Sequence, residues 1–256
     1  MTDKTQQKKI LKWVKNNKKQ STISRAYNCH AVLYGDYCDV RNYYDVQYKH
    51  YGNDTSKARR QHGSKRADAV ARAKVKIYRL VTGNVYKHAR VRPIFGTYTF
   101  EEPITDFDIA LTHYKRYIRR LKEYTNNQIR YVAVPQIQWS RYQDTGLKVW
   151  HFHFVYFNLK PVDFKINDKL WGQGIVQMEY VRGINNIGAY IAGYMTKKDF
   201  DEIPLNKRFY YPSRNLIQPK DVFHIENVQQ IIKGAKVKLL STYTGVKYTQ
   251  SKYKLC

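Results

Sequence analysis

The hydrophobic and polar positions of this chain change period several times, and each change marks an element. Between Thr55 and Thr82 apolar residues recur at Ala69, Val70, Ala73, Ile77 and Leu80, close to the 3.6-residue period of a helix, with basic residues on the other faces. The spacing predicts a basic helix ended by Gly83. The pattern then becomes that of strands. Phe95 to Glu101 (FGTYTFE) is rich in β-branched and aromatic residues and is stopped by Pro103. Ile129 to Gln138 (IRYVAVPQIQ) reads as a strand whose Pro135 suits a bulge or an edge. Lys148 to Asn158 (KVWHFHFVYFN) and Gly174 to Val181 (GIVQMEYV) read as two more, with Ser140 to Lys148 as a polar hairpin loop. Before Ile129, Thr105 can cap a helix with Asp106 and Asp108 in its first turn and Lys115, Arg116, Arg119, Arg120 and Lys122 towards its end, matching the helix dipole. Its expected apolar stripe is Ile109, Leu111, Tyr114, Ile118 and Leu121. Asn186 to Lys198 reads as a short helix.

The order strand, helix, strand, loop, strand, strand, helix predicts an α+β fold, an antiparallel sheet with helices on one face. Met1 to about Lys19 is a lysine-rich arm with some helical character, and Ala26 to Tyr51 is a tyrosine-dense stretch that the pattern leaves unassigned. The expected organisation is a basic N-terminal extension (1–90), a core (91–220) and a basic C-terminal extension (221–256).

Charge narrows the partners. Lys and Arg number 46 against 20 Asp and Glu, a formal net charge of +26. The excess runs from Lys8 to Lys254, so a folded body presents a broad basic surface, and nucleic acid is the expected partner. A membrane is not expected, because Lys, Arg or Asn interrupt every long apolar stretch within a few positions. The N-terminus lacks the apolar core of a secretory signal, so a cytoplasmic location is expected. Cys29, Cys38 and Cys256 are odd in number and have no CxxC spacing, which supports neither a disulfide framework nor a zinc ribbon.

Two groups of residues can carry chemistry. In WHFHFVYF alternate side chains face opposite ways, so His151 and His153 share one face and Trp150, Phe152 and Phe154 the other. Two imidazoles at i and i+2 of a strand can share a divalent cation. The preceding strand, VPQIQW, would bring Gln136 alongside as a third ligand through its amide oxygen. A glutamate there would be expected to bind a hard cation at least as well. The second group is GAYIAGYMTKK, where Tyr190, Tyr194 and Lys197 fall at i, i+4 and i+7 of one helix face. A phenol can attack a phosphodiester, and a nearby ammonium stabilises the charge that develops. Neither motif is specific alone: with 24 tyrosines about two YxxxY pairs arise by chance, and Tyr44–Tyr48 is the other one here.

Their conjunction and order are specific. FGTYTFEEP, VPQIQ followed by HFHF, KLWGQGIVQMEYV, YIAGYMTKK and RFYYPSRNLIQP together resemble the HUH endonuclease superfamily, in particular the small replication initiators of single-stranded DNA phages of the microvirus type and of related plasmids. The resemblance covers about Arg92 to Pro219. It implies a ferredoxin-like sheet of about five strands with the HxH strand central, Mg²⁺ or Mn²⁺ held by His151 and His153, and the tyrosine helix laid across the metal. The sequence departs from that pattern at Gln136, where the family usually has Glu, and at Gly193, where it often has Lys, leaving Lys197 or Lys198 to supply the charge.

What the resemblance implies is a rolling-circle initiator that nicks single-stranded or extruded origin DNA, forms a 5′-phosphotyrosine and leaves a 3′-OH for the host polymerase, in the bacterial cytoplasm. No G-x-x-x-x-G-K-[ST] loop occurs, so a host helicase is expected to separate the strands. The alternatives are a plasmid relaxase, an HUH transposase, or a non-catalytic single-strand-binding protein.

Overall fold

The structure is a computed structural model, described here for residues 23–50, 62–85, 92–160, 164–181, 187–194, 197–223, 225–234 and 236–255. The lysine-rich arm lies outside these residues. In chain order the elements are β1 (Ile23–Tyr34), β2 (Tyr37–His50), α1 (His62–Val85), β3 (Ile94–Tyr98), α2 (Phe107–Tyr124), β4 (Tyr131–Ile137), α3 (Trp139–Thr145), β5 (Trp150–Tyr156), α4 (Phe164–Trp171), β6 (Val176–Tyr180), α5 (Ile187–Gly193), α6 (Lys197–Glu202), β7 (Tyr211–Pro212), β8 (Lys220–Phe223), α7 (Ile225–Gly234), β9 (Val237–Thr244) and β10 (Tyr248–Leu255). The chain divides into two compact units, one formed by residues 1–61 with 219–256 and the other by 62–218. The fold is α+β, with one five-stranded antiparallel sheet in each unit. No helix among the described residues is long and apolar enough to cross a membrane.

In the 62–218 unit the sheet order is β6-β3-β5-β4-β7, with the histidine strand β5 at the centre and every one of its residues buried. Its even-numbered residues face α2. Phe152 stacks on Tyr114 at 5.1 Å between ring centres, and Phe154 packs edge-on against Tyr117 at 5.6 Å. Many of the tyrosines are therefore core. The hydroxyls of Tyr98, Tyr117 and Tyr156 meet at 2.6–2.8 Å and also bond Asn167, so a buried polar cluster is satisfied internally. Helix α2 begins at Asp106 rather than Thr105: the Asp106 carboxylate accepts from the Ile109 amide at 2.8 Å. Its buried stripe is Phe107, Ala110, Leu111, Tyr114, Tyr117, Ile118 and Leu121, while Ile109 is exposed, one position out of phase with that stripe.

Helices cover both faces of this sheet, not one. On the odd-numbered side of β5 lie α5 and, against it, α1. Gly188 marks where they touch: a Cβ there would stand 2.2 Å from Thr82 Oγ1 and 2.7 Å from the Tyr78 carbonyl oxygen. Helix α1 does not end at Gly83 but runs to Val85. The Asn84 side chain donates to the Leu80 and Ile217 carbonyls and accepts from the Ile217 amide, and these tertiary bonds hold the last turn. Pro135 sits within an unbroken β4–β5 register, and β7 pairs only with Val132 and Ala133, so the missing N–H falls on the open edge. The expected hairpin loop contains α3, closed by Gly146 at φ 70°.

In the other unit the order is β8-β1-β2-β10-β9, with β1 and β2 joined by the turn Gly35–Asp36. One face of this sheet meets α7 in a small core of Cys29, Ala31, Cys38, Val40 and Val228. Both cysteines are free and buried there, and burial pushes the Cys29 thiol up to about 11. His30 points to the opposite face and pairs with Asp221 at 2.8 Å, so it does not join the cysteines. A row of rings crosses that face: His30 stacks on Phe223, Tyr27 meets Tyr43, and Tyr43 and Tyr243 meet Tyr248, with Arg41 over the Tyr248 ring.

Candidate active site on the central strand

Register alone brings three strands to one place. Gln136 on β4 is paired with His151 on β5, and His153 is paired with Thr97 on β3. The period-2 alternation of β5 then directs both imidazoles away from the α2 core. His151 Nε2 lies 2.9 Å from His153 Nε2, and Gln136 Oε1 lies 2.7 Å from His153 Nε2. On its other side His153 Nδ1 is 3.1 Å from Thr97 Oγ1, and Phe95 stacks on the ring at 5.3 Å.

The tyrosine segment closes over this group. Helix α5 stops at Gly193, short of the expected end at Lys198, and Tyr194 occupies the closing turn, its amide donating to the Ile191 carbonyl at 3.2 Å. The two phenols nevertheless meet, with Tyr190 Oη and Tyr194 Oη 2.6 Å apart. The Tyr194 ring lies on His153 at 4.3 Å and on Phe95 at 5.1 Å. Lys197 opens α6, but its side chain lies outside the described residues. Lys198 Nζ sits 3.6 Å from the centre of the Trp139 ring. At the exposed Gly193 a Cβ would meet nothing within 4 Å, so no crowding accounts for the missing lysine.

Burial sets the electrostatics. His151 and His153 are 7% and 6% exposed. Desolvation, partly offset by the charge of Asp199, pulls His151 down to about 4; desolvation, reinforced by His151, pulls His153 lower still. Both imidazoles are therefore neutral, the form that ligates metals. Burial and the hydrogen bond from Tyr190 push the Tyr194 phenol up, so it is protonated at neutral pH.

The donors suit a hard divalent cation. Adjacent ligands of an octahedral ion at about 2.1 Å lie about 3 Å apart, and the two nitrogen–nitrogen and nitrogen–oxygen separations above are close to that. His151 Nδ1 is buried without a hydrogen-bond partner. Among the described residues no group of three or more His, Cys, Asp or Glu is placed to hold a metal, so a three-ligand set depends on Gln136.

One residue of the site was invisible in the sequence. Asp199, 2% exposed, accepts from Trp139 Nε1 at 2.7 Å and from the Ile137 amide at 3.4 Å through Oδ1, and from Gln136 Nε2 at 3.3 Å through Oδ2. Gln136 Nε2 also donates to the Tyr194 carbonyl at 3.0 Å. In the basic run TKKDF an acidic residue reads as a solvated partner of its lysines, and no periodicity reveals that it turns inwards.

No curated protein and no solved structure matches the chain. Residues 93–199 match a family model for replication-associated proteins of the ORF2 type. The segment that contains the histidine pair, Gln136, both tyrosines and Asp199 is thus similar to a family of replication-associated proteins.

Proposed function

We propose that the chain initiates DNA replication by nicking one strand with a tyrosine. The observation that carries this reading is the meeting of two phenols with a buried neutral histidine pair, brought together from separate elements. In the reaction a phenolic oxygen of Tyr190 or Tyr194 bonds to the scissile phosphorus of single-stranded or extruded origin DNA, and its proton leaves. The phosphorus–O3′ bond breaks, and the 3′-oxygen takes up a proton. The product is a 5′-phosphotyrosine and a free 3′-OH for a host polymerase, with a host helicase opening the duplex. The phosphotyrosine conserves the phosphodiester, so the reverse attack by a 3′-OH rejoins strands without ATP.

His151, His153 and Gln136 would hold Mg²⁺ or Mn²⁺, which when bound supplies Lewis-acid polarisation of a scissile phosphate oxygen. The short contact between the phenols allows one to pass a proton to or from the other as it becomes the nucleophile. A cation is needed near a phenol held protonated, and Lys197 is the residue proposed to supply it. The surplus of basic residues binds the strand through its phosphates in a salt-dependent way. The test is cleavage of labelled genomic single strands in Mn²⁺ by the wild type and by His151→Ala/His153→Ala. Loss of cleavage with retained folding supports the reading. Undiminished cleavage by the double variant removes the histidines from the chemistry.

A further inference from the structure

We infer that Asp199 is a positioning residue for Gln136, and that the two act together as a divided carboxylate: the amide oxygen faces the histidine pair and the negative charge stands directly behind it. The inference rests on the metal reading of the histidine pair given above.

The orientation of an amide is decided by its neighbours, since its two ends exchange a donor for an acceptor by a half-turn. Position 136 has an asymmetric surrounding. On one side stand two acceptors, the Tyr194 carbonyl oxygen at 3.0 Å and Asp199 Oδ2 at 3.3 Å, both from the segment that carries the nucleophile and its following helix. Only an NH₂ group satisfies both. The oxygen must then face His153, where it lies 2.7 Å from Nε2. Asp199 is itself fixed, because Oδ1 receives the Trp139 indole N–H and the Ile137 amide. A ligating group oriented by a buried carboxylate is a strong determinant of metal affinity, and losing such a partner typically costs 10- to 100-fold.

This geometry reverses the expectation for glutamate at position 136. A carboxylate there would set a second oxygen against Asp199 Oδ2 and the Tyr194 carbonyl, three acceptors with no proton between them. The Gln136→Glu protein is therefore expected to bind metal more weakly than the wild type, although a carboxylate is the better ligand for a hard ion. Asp199→Asn has the mirror defect: Oδ1 keeps Trp139 and Ile137, but the new NH₂ opposes the Gln136 NH₂ and favours the flipped amide. Combining the two restores a donor facing an acceptor, with the charge moved from position 199 to position 136.

The experiment is titration calorimetry with Mn²⁺ on the full chain, alongside thermal unfolding in chelator, for the wild type, Asp199→Asn, Gln136→Glu, the combined variant and His151→Ala/His153→Ala. Each single substitution is expected to weaken Mn²⁺ binding by about 10- to 100-fold, and the combined variant to recover at least tenfold over either. A purely structural role for Asp199 would lower the unfolding temperature without that reciprocal rescue. The inference is overturned if Asp199→Asn binds as the wild type does, if Gln136→Glu binds more tightly than the wild type, or if the combined variant is no better than the singles. Wild-type Mn²⁺ binding by the histidine double variant would instead overturn the metal reading, and the role of Asp199 with it.

Discussion

The two units build five-stranded antiparallel sheets from similar material and use them differently. Each sheet buries one face against a helix. In the 62–218 unit the second face is also covered, by α5 over β5, and two imidazoles lie beneath a tyrosine segment. In the other unit the second face carries rings from all five strands, of which Tyr43 and Tyr248 are half-buried and Tyr243 is exposed. The contrast teaches what a sheet needs to tune chemistry. Strand alternation can present histidines or tyrosines on any face, but only a second covering layer removes the water that would otherwise leave their proton affinities ordinary.

The size of the two cores gives the largest expected difference. Phe154 touches Tyr98, Tyr114, Tyr117, Tyr131 and Tyr156, so Phe154→Ala is expected to cost about 3–5 kcal/mol. Val40, in the small core of the other unit, is expected to cost about 2 kcal/mol when cut to Ala. Urea unfolding of the two variants measures both, and equal losses would break the comparison.

Acid separates the histidine face from the rest. The folded-state pKa values of His151 and His153 lie below that of a free histidine, so the unfolded chain binds more protons once the pH falls below about 6.5. Their contribution is complete above that pH and is lost as it falls towards 4, on the order of 1 kcal/mol per pH unit for each histidine. Stability curves from pH 7 to pH 4 should be steeper for the wild type than for His151→Ala/His153→Ala. Parallel curves would mean that the imidazoles are not held neutral by burial.

The smallest effect distinguishes two glycines of one short segment. Gly188→Ala drives a methyl group into Thr82 and the Tyr78 backbone and is expected to cost about 1–3 kcal/mol and to reduce nicking by displacing Tyr190 and Tyr194. Gly193→Ala meets open space and should stay within about 0.5 kcal/mol of the wild type in thermal unfolding. Equal effects would show that the α1–α5 contact does not position the tyrosines.

The sheet that carries the site was legible because period-2 alternation and a few proline and glycine stops are local signals. FGTYTFE, YVAVPQI, WHFHFVY and VQMEY all became strands. The misses were tertiary. Tyr194 leaves the helix because the chain turns after Gly193, and α1 passes Gly83 because Asn84 finds partners at Ile217, far along the chain. The β1–β2 hairpin lies in a stretch so dense in tyrosine that its alternation is hidden, and its neighbours β8 and β10 come from the opposite end of the chain. Asp199 was unreadable because burial of a single charge, unlike a periodic stripe, leaves no trace in the pattern.

The claim on which the whole account depends is that Tyr190 and Tyr194 are the nucleophiles. Its most direct measurement is the covalent protein–DNA adduct formed with a labelled single-stranded origin oligonucleotide in Mn²⁺, resolved on a denaturing gel for the wild type, Tyr190→Phe, Tyr194→Phe and the double variant. The account predicts adduct from the wild type and from each single variant, because either phenol reaches the same site beside His153, and none from the double variant. Adduct of normal yield from the double variant would contradict it.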